Sequence, residues 1–221
     1  MTVNEPTFSE RLFNDPRSQK ILELTKETVL ITGMQSGTLN ANYYGAFMVQ
    51  DIAYLANGVV AYKKAALEIK EGIFQKLYNE RAHNLYTRYV KPMQTDWHLK
   101  NHESVKLGIA AEKYVTFLHH VSTENPRYLA IAMLPCSMLW RSLANQLHES
   151  VSKASAYYTW FEKNKTEKGY RGTLEKFVDD HFGQSEFEIA KPFFWEALAY
   201  EYSFFCESGK EQSCTLPSNL K

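Results

Sequence analysis

Residues 44–62, YGAFMVQDIAYLANGVVAY, decide the fold. At 100° per residue, Tyr44, Phe47, Asp51, Tyr54, Gly58 and Tyr62 fall on one stripe of a helix. The stripe is aromatic, and Asp51 is its single charge, flanked by two phenols and by a glycine that leaves room. An unpaired carboxylate in a helical core is unfavourable by several kcal/mol, so such a residue is rarely buried without a partner or a task.

Working outward, the helical period dominates the chain and nothing alternates convincingly with period two. A first helix is predicted from Pro16 to Met34, and a second runs from an Asn40 or Asn42 cap to Glu68. A third covers Ile73 to Val90, where Pro92 stops it. A fourth spans Glu103 to Val121, and a fifth runs from Asn125 to about Glu149. Shorter helices follow at Ser152–Lys163 and Tyr170–Phe182, and Glu186–Glu207 makes the last. The expected fold is an all-α, single-domain helical bundle of about seven or eight helices over residues 1–221, with 1–15 and 208–221 frayed.

Two more helices carry a reactive group on an apolar face. Cys136 sits among Leu129, Met133, Trp140, Leu143 and Leu147. Glu201 sits among Phe194, Ala197, Leu198, Phe204 and Phe205. In the fourth helix, Tyr114 lines up with Leu107, Ala110, Ala111, Phe117, Leu118 and Val121. Each taken alone reads as packing: a cysteine fills cores, an inward acid anchors hydrogen bonds, an inward tyrosine is core. Together they point to a thiol and two carboxylates converging on one aromatic-lined cavity suited to covalent chemistry. Pro135 inside its helix removes one hydrogen bond and clashes with the carbonyl of Ile131, bending the helix beside Cys136. A free thiol with a pKa near 8.5 is mostly protonated at neutral pH, so a base is needed, and Glu201 is the candidate.

Composition bounds the partners. The 25 basic and 25 acidic residues cancel and no basic stripe exists, which argues against nucleic acid and anionic membrane. No apolar run reaches the length of a membrane span, and MTVNEPTFSERLFNDP lacks the features of a secretory signal. Three cysteines without a CxxC pair suggest a reducing compartment, hence a cytoplasmic protein. The surplus of 14 Tyr beside 13 Phe hints at a polar-aromatic cavity. The expected partner is a small molecule or another copy of the chain.

With these residues in hand, the chain resembles the TenA family, the thiaminase II-like proteins of the haem-oxygenase-like helical fold. Tyr44–Leu55 (YGAFMVQDIAYL) is similar to the family's Tyr-x-x-Gln-Asp-x-x-Tyr-Leu helix. Leu129–Cys136 (LAIAMLPC) is similar to Ala-Leu-Leu-Pro-Cys, and Tyr200–Phe205 (YEYSFF) to Tyr-Glu-Tyr-x-Phe-Trp. The resemblance implies Cys136 as nucleophile toward an aminopyrimidine, Glu201 as proton shuttle and Asp51 as the anchor of a ring nitrogen and the exocyclic amine. Tyr54 and Tyr114 would stack on or orient the ring, with Tyr44, Phe47 and Trp140 completing the pocket. It implies hydrolysis of 4-amino-5-aminomethyl-2-methylpyrimidine in thiamin salvage, slower cleavage of thiamin, no metal or organic cofactor, and a homotetramer. The chain departs from the family at Trp140, commonly Tyr and followed there by Tyr-Glu rather than Arg141. It departs also at Asn164, where a pocket tyrosine is expected, and at Phe205, usually Trp. Losing two pocket hydroxyls alters what the site recognises.

Two rivals stand beside this reading. A di-iron oxygenase on the same scaffold would draw on Glu80-x-x-His83 and Asp180-His181, although the fifth helix offers Arg141 where a carboxylate is wanted. A pyrimidine or thiamin binder would keep the pocket without turnover. A purely structural protein would instead tie Asp51 and Glu201 into buried ion pairs and leave no cavity. His119-His120 point about 100° apart and suit the surface or a helix end, as does His148.

Overall fold

The structure is a computed structural model that describes residues 5–208, 216, 217 and 220. Cys214 and most of the tail expected to fray lie outside the described residues. Among the described residues there is no strand, and the chain is an all-α bundle.

Residues 1–4 of the segment expected to fray lie outside the described residues, and a helix forms within the rest of it. Helix α1 (Phe8–Phe13) begins with a capping box: the Thr7 hydroxyl accepts from the Glu10 N–H while the Glu10 carboxylate accepts from the Thr7 N–H. Phe8 and Leu12 are buried, which anchors the segment. The predicted helix from Pro16 to Met34 is two helices, α2 (Pro16–Lys26) and α3 (Val29–Ser36). Thr28 makes the break: its backbone is extended and its hydroxyl accepts from the Ile31 N–H to cap α3. Gly37, at φ 74°, closes α3 in the left-handed region.

Helix α4 (Ala41–Glu68) is the long element read from the sequence, capped by Asn40. It packs along α5 (Gly72–Leu85) and α7 (Ile109–Glu124). Pro92 does not stop the path after α5. A π turn at Tyr86–Val90 widens the helix, and α6 (Lys91–Asp96) takes Pro92 into its first turn, where a missing N–H is harmless. Residues 102–104 form a short 3-10 turn, so α7 starts later than the expected Glu103. Glu207 receives the free N–H groups of Ile109 and Ala110 there.

The predicted fifth helix is divided at Met133 into α8 (Leu129–Ala132) and α9 (Leu134–Leu147). Pro135 therefore lies in the first turn of a new helix, so the disruption expected beside Cys136 takes the form of a break at Met133. Helices α10 (Tyr158–Asn164) and α11 (Thr173–His181) are shorter than predicted, and α12 (Phe187–Ser208) matches its expected span within one residue. With its short pieces the bundle has more helices than the seven or eight foreseen. Helix α12 runs through the middle, in contact with α2, α4, α7, α8 and α9. That placement brings the faces read from four separate helices to one centre.

Candidate functional site

Asp51 from α4, Cys136 from α9 and Glu201 from α12 meet in the interior, with Tyr54 and Tyr114 beside them. The two carboxylates are almost completely covered, at 3% and 2% exposure, whereas Cys136 is half-buried. Tyr44 and Trp140 are also half-buried. Two surface depressions, of about 560 and 430 Å³, lie elsewhere, lined by residues of α3 with Tyr43 and by residues of α7 and α12.

Breaking the chain at Met133 has a chemical consequence. Cys136 becomes the third residue of α9, at the positive end of its dipole. The surroundings oppose this effect. Burial pushes the thiol well above its ordinary value, and the nearby Glu201 and Asp51 carboxylates push it further. Burial and the Glu201 charge likewise raise Asp51 well above the usual carboxylate range. Glu201 is pushed up to about 7 by burial, against hydrogen bonds from Trp140, Tyr114 and Cys136 that favour its charged form. The Trp140 indole N–H donates to Glu201 Oε2 at 3.2 Å. Neither carboxylate has a basic partner among the described residues, contrary to what a purely structural role would require.

Aromatic rings enclose the polar centre. Phe47, fully buried, stacks on Trp140 with ring centres 5.5 Å apart and touches Phe204 and Phe205. Phe205, where the family pattern suggests Trp, meets Trp140 edge-on at 5.7 Å. Tyr54 and Tyr114 lie 4.6 Å apart, and Tyr200 stacks on the far side of Tyr114 at 5.6 Å. The Tyr54 and Tyr114 hydroxyls face the Cys136–Glu201 pair, yet neither finds a partner at full hydrogen-bonding geometry. Buried hydroxyls without partners are donors available to something else. Tyr44 stands at the rim, 5.0 Å from Tyr157 and 6.0 Å from Trp97. Burial and the Asp51 charge hold its phenol protonated, at about 12.

The positions that depart from the family pattern resolve differently from one another. Arg141 turns away from the centre and makes a two-pronged ion pair with Glu175 of α11, both N···O distances being 2.6 Å. Asn164 donates to the Trp160 carbonyl at 2.8 Å and serves the end of α10. His120 is exposed and His148 is buried between Glu149 and Glu162. The residues invoked for a di-iron site stay apart from the centre: Glu80, His83 and Asp180 are exposed. No group of three or more His, Cys, Asp or Glu among the described residues is placed to share a metal ion.

Residues 29–210 match the model of the TENA/THI-4/PQQC family, most of the chain. The chain belongs to this family. Its fold is that of solved TenA structures. A TenA homologue from P. horikoshii OT3 shares 18% identity and superimposes with a TM-score of 0.77, covering 92% of this chain and 99% of that one. A TenA homologue from Pyrococcus furiosus gives 15% identity and 0.74, covering 91% and 99%. A structure described as a putative TenA-like thiaminase from Sulfolobus solfataricus P2 gives 13% and 0.60, covering 90% and 97%. No curated protein matches the chain at a significant level. Helices α1 and α2 precede the matched residues.

Three contributors escaped the sequence reading of the site. Tyr200 was quoted only within a motif, though it backs Tyr114. Trp160 packs 5.3 Å from Trp140 with its own indole N–H unpartnered. Arg81 of α5 acts electrostatically on Cys136. Arg81 was legible by the criterion applied to Asp51, because it shares an apolar stripe with Phe74, Tyr78 and Leu85.

Proposed function

We propose that this TenA-family chain hydrolyses an aminopyrimidine, converting 4-amino-5-aminomethyl-2-methylpyrimidine to its hydroxymethyl counterpart with release of ammonia. One observation carries the reading: two buried carboxylates without cationic partners among the described residues act together on the Cys136 thiol. Asp51 suits an amidine-like edge, where a ring nitrogen and an exocyclic amine supply the donors that the protein does not. Tyr54, Tyr114 and Phe47 give the ring flat faces to lie against, and Tyr44 and Trp140 close the pocket. The S. solfataricus relative described as a putative TenA-like thiaminase points the same way.

The roles follow from the protonation states. At neutral pH Cys136 is a thiol and Glu201, near 7, is divided between acid and carboxylate. The carboxylate takes the thiol proton as sulfur adds to the heterocycle. Glu201, now protonated, hands that proton to the departing amine, and ammonia leaves. Water adds at the exocyclic carbon, gives its proton back through Glu201, and the sulfur is released as thiol. One C–N bond breaks and one C–O bond forms, with no change of oxidation state. A group near 7 is well matched to serve as base and then acid. By family resemblance and cysteine usage the reading extends to a role in thiamin salvage, as a cytoplasmic homotetramer.

The test is incubation of the protein with the aminomethyl-pyrimidine and, separately, with thiamin, following ammonia and the hydroxymethyl product. Product from the first substrate is expected, with slower cleavage of the second. Binding of either compound without product, by protein with an intact thiol, would replace the enzyme with a pyrimidine binder.

A further inference from the structure

The hydrogen bond from Trp140 to Glu201 depends on direction. An indole N–H is fixed in the plane of its ring, and the bond weakens steeply as the donor turns off line. Trp140 is half-buried, so the rings around it are what hold it in one rotamer. Three pack against it: Phe47 of α4 at 5.5 Å, Phe205 of α12 at 5.7 Å and Trp160 of α10 at 5.3 Å between ring centres. Phe47 and Phe205 belong to the two helices that carry Asp51 and Glu201. Trp160 comes from elsewhere, on a helix of seven residues that rests against α9 and the turn after it.

That short helix is fastened at three places. Just before it, the buried Tyr157 donates its hydroxyl to the Leu39 carbonyl at 2.5 Å. Along it, Glu162 meets the buried His148 ring, Oε2 and Nε2 lying 2.5 Å apart, and accepts from the Tyr158 hydroxyl at 3.2 Å. Just after it, the Thr166 N–H donates to Asn145 Oδ1 of α9 at 2.8 Å, and Asn145 Nδ2 donates to the Thr166 hydroxyl at 3.4 Å. Together these contacts hold Trp160, 4% exposed, against Trp140. The Trp160 N–H has no hydrogen-bond partner among the described residues. Keeping a donor unpaired in the interior is unfavourable, so the ring is not there for its N–H. What it offers Trp140 is a flat, rigid surface.

We propose that Trp160 is a positioning residue for Glu201: it confines the Trp140 indole so that the Trp140 N–H stays on the carboxylate. Trp160 carries no charge, and the ionisable groups that face Glu201 come from other helices. They are Asp51 and Tyr54 from α4, Tyr114 from α7 and Cys136 from α9. The assignment deepens the aminopyrimidine reading, and its use in turnover rests on that reading.

The test is an infrared titration of the Glu201 carboxyl in the full chain, its band assigned by its absence from Glu201→Gln. Because the Trp140 bond favours the charged form, Trp160→Leu should raise the midpoint by about half a unit to one unit, as Trp140→Phe does. Trp140→Phe combined with Trp160→Leu should go no further than Trp140→Phe alone, since both act through one bond. Trp160→Phe, which keeps a flat ring, should titrate like the wild-type chain. If Trp160→Leu does not fold, Trp160→Met fills the volume with a flexible side chain and should give the same rise. Where product forms, the acidic limb of the kcat/KM profile should move with the band. A midpoint unmoved by loss of the ring, or shifts that add in the combined variant, overturns the positioning role and leaves the aminopyrimidine reading standing. Absence of product with the expected shifts removes that reading and keeps the role.

Discussion

The Trp140 indole N–H and the Glu201 carboxylate are joined at 3.2 Å across the contact between α9 and α12. The family resemblance suggests a tyrosine at 140, and its replacement reads as the loss of a pocket hydroxyl. The structure keeps a donor in that place. An indole N–H donates, never accepts and does not titrate, so Glu201 retains its hydrogen bond while the pocket loses an ionisable group.

Trp140→Phe should therefore raise the Glu201 pKa, because the bond it removes favours the charged form. With Glu201 as base, kcat/KM of the unsubstituted chain should rise with pH through about 7. The variant's acidic limb should move to higher pH by about half a unit to one unit, in keeping with the loss of one hydrogen bond to a charged group. A pH–rate profile checks this; an unmoved limb removes Glu201 as the titrating group.

Glu201→Gln should lower turnover by about 10²- to 10⁴-fold, the usual contribution of a positioned acid–base group. The limb near 7 should vanish from what activity remains. Cys136→Ala should abolish product entirely while leaving pyrimidine affinity within a few-fold. Equilibrium binding measured beside turnover separates the two effects.

Stability should fall as pH rises from about 5 toward 8. Asp51 and Glu201 both hold their protons more tightly folded than unfolded, so the native state binds more protons in this window. The stabilisation is full below the unfolded carboxylate range and is lost as pH climbs through the folded values. For Glu201 alone the effect reaches about 3 kcal/mol at most. Asp51→Asn should flatten the slope and raise the melting temperature at pH 8, while weakening pyrimidine binding by about tenfold or more. Melting curves across pH, with and without ligand, give both readings.

Arg141→Met should destabilise the fold by about 3–5 kcal/mol, because it strands Glu175 in the interior without its partner. Denaturant unfolding reports the loss. Pyrimidine affinity in the protein that remains folded should be unchanged, since Arg141 ties α9 to α11 rather than touching the centre.

The long helices and their inward groups were legible because burial imposes a period, and Asp51, Cys136 and Glu201 each break an apolar stripe. The same logic would have found Arg81, had the stripe of α5 been scanned for charge. Helix breaks were harder to see. Thr28 and Met133 interrupt patterns whose apolar period runs on unbroken, and a hydroxyl cap or one altered dihedral leaves little trace in hydropathy. Pro92 and Pro135 mislead in opposite ways, because proline is disruptive inside a helix and welcome in its first turn. The donor role of Trp140 depends on a rotamer, which spacing does not reveal.

The amino-terminal stretch has a use that family boundaries conceal. Helix α2 lies along α12, with Ile21 and Leu22 sealed into the joint and Leu12 of α1 equally enclosed. Trimming the polypeptide to residues 29–210 would strip away this buttress and wet the back of the rod that carries Glu201. The bounds of the family match and those of the packed core do not coincide in this molecule.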